Sequence, residues 1–199
     1  MDKNKTANKI CIITVLGNVL LAVLKFLAGS FGNSSVMISD AFHSLSDVSA
    51  TFIAWLGVKL SLKGSKYKKT EYAASFILGI VLLSTSACIG ISGVKKIISK
   101  ETVSPDIIAL IMAGVSILAK EIMFRYTMHY AVLLKSSAFK AEAFHHRADA
   151  LASVGALTGI GGAMLGYSIF EPISSIIISF LILKISFDII KKAIIKIKT

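Results

Sequence analysis

With 199 residues, 55% of them hydrophobic and only 17% charged, and a mean hydropathy of +0.77, the chain is too apolar for a soluble domain and reads as a multi-spanning membrane protein. Its formal net charge of +11 does not point to nucleic acid, because the lysines sit mainly in short gaps between apolar runs, where they act as topology signals. Two prolines in the whole sequence leave long helices uninterrupted.

Six apolar runs are predicted to cross the hydrocarbon core, each of about 20 residues or more: 9–30, 35–61, 72–95, 106–133, 142–166 and 170–190. They make a single all-α transmembrane domain over 1–199. The first run lacks the small-residue cleavage site of a signal peptide and is expected to stay as a span. It carries Lys25 and Cys11; Cys11 and the third run's Cys88 read as buried small hydrophobes, not as ligands or a disulfide. The second run holds Asp40, His43 and Asp47 at helical offsets of three and four. In the fourth, Lys120 and Glu121 are adjacent, so they point to different faces and need separate partners, while His129 has no spaced partner and is assigned to the interface. The fifth holds His145, His146, Arg147 and Asp149, then the small-residue pairs Gly155/Gly159 and Gly162/Gly166, expected to let this helix pack closely against the second. In the sixth, Lys184 and Asp188 are spaced to neutralise each other. Lys25, Lys120 and Glu121 are expected to pair or to snorkel.

The breaks carry turn chemistry: Gly32 to Ser35, Lys63 to Lys66, Lys100 to Asp106, Lys135 to Ser137 and Glu171-Pro172. Lysines flank the start of run one and the ends of runs two, four and six, all on one side, which the positive-inside rule makes cytoplasmic; Lys95, Lys96 and Lys100 are the exceptions. Both termini are therefore expected inside, in a cell membrane. The abundance of Lys and Ile with few Arg points to a bacterial plasma membrane.

Chemistry concentrates in two boxes. His43 and Asp47 lie four apart on one helical face, and His145 and Asp149 repeat that spacing. A single intramembrane His would read as a packing residue. Recurrence of His-xxx-Asp among only four histidines points instead to two faces turned toward each other, offering two imidazoles and two carboxylates. That is a tetrahedral shell for a borderline divalent cation such as Zn2+, with Cd2+, Co2+, Fe2+ and Mn2+ as alternatives. His146 stands at another helical angle and reads as a supporting or cytoplasm-facing group. No HExxH box supplies the general base of a metalloprotease, no organic cofactor is called for, and the chain does not read as an enzyme.

The runs Ser39 to Val48 and Ala141 to Ser153 closely resemble the second- and fifth-helix signatures of the cation diffusion facilitator family, and Glu171-Pro172 looks like its short outer turn. The resemblance covers essentially the whole chain. It implies a six-helix metal/proton antiporter, usually a homodimer, in which His43, Asp47, His145 and Asp149 form the transport site. The segment Lys63 to Glu71 lacks the His that the family commonly carries there for a second metal site, and the usual cytoplasmic C-terminal domain does not follow span six. A non-transporting metal sensor, or an assembly partner of a full-length transporter, is the alternative reading.

Overall fold

The computed structural model describes residues 2–31, 35–64, 67–99, 107–167 and 169–198. Within them the chain forms six helices and no strand: α1 (Lys3–Phe31), α2 (Ser35–Ser61), α3 (Lys68–Ser99), α4 (Ile107–Leu134), α5 (Ser137–Met164) and α6 (Phe170–Lys198). The shortest has 27 residues, about 40 Å at 1.5 Å per residue, which exceeds the thickness of a hydrocarbon core. By length and composition α1, α3, α4 and α6 are apolar enough to cross a membrane. The remaining two, α2 and α5, have 27 and 28 residues and carry the charged boxes.

Local chemistry sets the helix ends. The Asp2 carboxylate accepts from Asn4 N at 2.9 Å and caps α1. Between α4 and α5, Lys135 adopts the left-handed conformation, φ 54°, and Ser136 N donates back to Ala131 O at 2.8 Å, closing α4 as a C-terminal cap. The Ser136 hydroxyl then accepts from Phe139 N at 3.2 Å and starts α5. Glu71 at the head of α3 reinforces this corner by accepting from Ser137 N at 2.7 Å.

Helices α1, α2, α5 and α4 close a four-membered ring in that order, and α3 and α6 form an extensive pair laid against its α2 and α5 side. The α3/α6 seam is close because glycine lines it: a Cβ on Gly79 would come within 2.7 Å of Ile190, and one on Gly93 within 3.0 Å of the Pro172 carbonyl. Large apolar side chains such as Leu16, Leu20, Ile122 and Phe180 point outward and are exposed, as a lipid-facing surface requires. At the end of the ring where both termini lie, Ala7, Ile10, Ala54, Val58, Ala131, Leu134, Ala138 and Phe139 pack into a closed apolar core.

Several expectations change. The helices outrun the apolar runs at most ends, because polar flanks continue the helix beyond the lipid. Glu171-Pro172 is no break: both lie in the first turn of α6, where proline's missing N–H costs no hydrogen bond. The turn falls earlier, where Tyr167 N donates to Gly162 O and Gly166 takes φ +85°. The predicted turns at Gly32 to Ser34, Ser65-Lys66 and Lys100 to Asp106 lie outside the described residues. Cys88 is exposed, unlike Cys11. Gly155 and Gly162 do not serve α2; their neighbours are Ile178 and Phe170 of α6. Among the described residues no ion pair joins Lys184 to Asp188, and both are exposed.

Candidate metal centre

Four helices contribute to one buried polar cluster in the middle of the ring. From α2 come His43 and Asp47, from α5 His145 and Asp149, from α4 Lys120 and from α1 Asn18. The i, i+4 spacing sets each His above its own helix's Asp, and the packing of α2 on α5 then crosses the pairs. Asp47 Oδ1 lies 3.3 Å from His145 Nε2, and Asp149 Oδ1 lies 3.9 Å from His43 Nε2. Asp47, His145 and Asp149 are buried, whereas the His43 side chain is 52% exposed to a cavity.

One ligand atom from each of His43, Asp47 and Asp149 can be chosen so that all lie within 4.8 Å of one another. That is wider than the ~3.3 Å between ligands at zinc distance in a tetrahedron, so a bound ion would draw the groups inward. His145 touches both carboxylates, at 3.3 Å and 4.0 Å, but does not join that mutual set.

Lys120 is the group the spacing argument missed. Its ammonium donates to Asp47 Oδ2 at 2.6 Å, to Asp149 Oδ2 at 2.7 Å and to Asn18 Oδ1 at 3.0 Å, with 2% of the side chain exposed. Its depth was the available signal: it stands 14 positions after the start and 13 before the end of its predicted run, about 20 Å of helix either way, too far for snorkelling. Its neighbour Glu121 turns away and binds Arg125 and Arg147, at 2.9 Å and 3.4 Å, so the two do have separate partners.

A cavity of about 700 Å³ runs from this cluster toward the end of the ring opposite the termini. Its far part carries a second lysine: Lys25, buried, lies 2.9 Å from Asp40 Oδ2 and donates to Ser44 Oγ at 2.9 Å, so Asp40 is engaged away from the centre. One turn toward the closed end, Thr51 donates to Glu142 Oε1 at 2.5 Å and, at 3.3 Å, to the Asp47 carbonyl. Glu142 also lies 3.5 Å from His146, and both are fully buried. His146 therefore lies on the closed side of the centre beside Glu142 and does not reach solvent. His129 is exposed beside Tyr130.

The family model for the cation efflux transmembrane domain matches residues 11–197. An uncharacterized transporter of Methanocaldococcus jannaschii is 35% identical over 191 residues, covering 93% of this chain and 68% of that protein. Magnetosome protein MamB of Magnetospira sp. is 32% identical over 178 residues, 86% of this chain and 61% of the relative. The manganese efflux system protein MneP of Bacillus subtilis is 29% identical over 206 residues, 97% of this chain and 69% of the relative. The chain thus spans roughly two thirds of the length of these relatives. A helical membrane ring carrying His-xxx-Asp boxes on facing helices, matched along nearly its whole length, belongs to the cation efflux family, the cation diffusion facilitators, whose members are metal transporters and not enzymes.

Proposed function

We propose that this chain exports a divalent metal cation from the cytoplasm in exchange for protons, binding it with His43, Asp47, His145 and Asp149, and that zinc is the cargo the donor set fits best. The observation that carries the reading is the crossed pairing of the two boxes, His145 with Asp47 and His43 with Asp149, at membrane depth. Two imidazole nitrogens and two carboxylates suit a borderline cation, and the carboxylates neutralise its charge. A manganese cargo is the second reading, favoured by the relatives named as manganese efflux proteins and by a mutual set with one nitrogen and two oxygen donors.

With the lysine-rich side cytoplasmic, the cavity faces outward and the packed layer around Phe139 shuts the inner side. Protons arriving through the cavity compete with metal for the same nitrogen and oxygen lone pairs. An imidazole, with a reference pKa of about 6.5, is suited to that competition. Metal leaves as protons bind, and return of the protonated site carries them inward. On the family's pattern the working unit is a homodimer; each chain holds its own set of donors.

The test is reconstitution of the purified protein alone into liposomes with a pH dye on one side and a metal dye on the other. Zinc added to one side should drive protons the opposite way. Zinc movement without proton movement would remove the antiport, and neither movement would favour a sensor or an assembly partner.

A further inference from the structure

We propose that Lys120 is a tethered counter-cation that the cargo must displace, so that the two carboxylates pass from metal to ammonium and back without ever standing bare. This rests on the reading of Asp47 and Asp149 as cargo ligands. All three N–H bonds of the ammonium are used, on Asp47 Oδ2, Asp149 Oδ2 and Asn18 Oδ1. The first two contacts put the charge between the carboxylates, where a bridging cation would sit. The remaining oxygens face the two histidines. Two buried carboxylates this close would repel each other across a medium that screens little, and a single buried ammonium offsets that repulsion.

The stem makes the charge movable. Lys120 lines the cavity, whose walls beyond it include Ala109, Ala113, Ala152 and Ala156. These small side chains leave room for a four-carbon chain to swing toward the mouth when a divalent ion takes the carboxylates. Lys25 does not compete for the same oxygens, being held by Asp40 and Ser44.

Two consequences distinguish this role from a structural one. The site binds cargo more weakly than its four donors alone would, because displacing the ammonium costs its three charge-assisted hydrogen bonds. A monovalent ion gains nothing by replacing a tethered charge of equal size, so the lysine filters for divalent ions.

The experiment is equilibrium binding of zinc alone to the purified full chain in lipid nanodiscs, beside zinc flux in liposomes. Lys120→Met keeps length and removes charge. Zinc should bind about tenfold tighter or more, while flux falls because release loses its competitor. Lys120→Arg, which keeps the charge, should not tighten binding. Asn18→Ala, which removes only the third anchor, should tighten it by about threefold and serves where Lys120→Met does not fold. Loss of a merely structural lysine would lower affinity and flux together. Binding that is unchanged or weaker in the folded Lys120→Met or Asn18→Ala protein would overturn the proposal. Asp149→Ala is the control on the underlying reading: if it binds zinc like the wild type, the ligand assignment itself has failed.

Discussion

His43 and His145 occupy opposite environments, one facing a cavity and the other sealed between helices, so their substitutions should differ in kind. His43→Asp adds a third carboxylate at the cavity wall and makes the site harder and more negative. In a competition assay the ratio of zinc to cadmium flux should fall, since a larger ion tolerates the extra oxygen and the altered geometry better; an unchanged ratio would take His43 out of the ligand set. Asp149→Ala leaves the cargo with one carboxylate and leaves Lys120 with only Asp47 and Asn18. Zinc flux should fall by at least about a hundredfold, with the variant still eluting as a folded species; near-normal flux would contradict the four-ligand reading. The convergence of the boxes was legible because helical spacing fixes which residues share a face. The lysine between them was legible only by its depth in the fourth run, because nothing in spacing says which face of α4 turns inward. Asn18 drew no notice for the same reason.

At the scale of the element, the α4/α5 corner sets the axial position of the second box relative to the first. Ser136 both closes α4 through its N–H and caps α5 through its hydroxyl. Ser136→Ala should destabilise the protein by about 1 kcal/mol, read as a lower midpoint in a denaturing-detergent titration. Lys135→Gly, which relieves the left-handed strain at φ 54°, should raise the same midpoint or leave it unchanged. A lowered midpoint in Lys135→Gly would mean that the turn is held by the lysine side chain. The six elements were legible from apolar run length, which the lipid dictates. Their ends were not, since α1, α3, α5 and α6 continue into lysine- and serine-bearing flanks beyond any apolar signal. Gly155 and Gly162 do pack closely, but against α6 and not α2, and Gly166 lies past the end of α5 with open space beside it, because periodicity identifies a stripe without naming what lies against it.

The four-helix ring is asymmetric along its axis, with a cavity at one end, an apolar core at the other and the polar cluster between them. A second cavity of about 700 Å³ at the end with the termini lies outside the ring, between α4/α5 and α3/α6. In a background lacking Cys11 and Cys88, Ala156→Cys should react with an impermeant thiol reagent applied outside intact cells. Lys140→Cys, exposed at the end where both termini lie, should not react. The reverse pattern would invert the assigned orientation. Composition and lysine distribution were enough to read the class of molecule and that both termini lie at one end, but which end of the ring is open depends on side-chain packing that no run length encodes. If the two crossed boxes hold the cargo, X-ray absorption spectroscopy of the zinc-loaded protein will read their donors at the metal itself. Four nitrogen and oxygen neighbours at about 2.0–2.1 Å, with the multiple scattering of two imidazoles, are the expected result. An oxygen-only shell without imidazole scattering would contradict it.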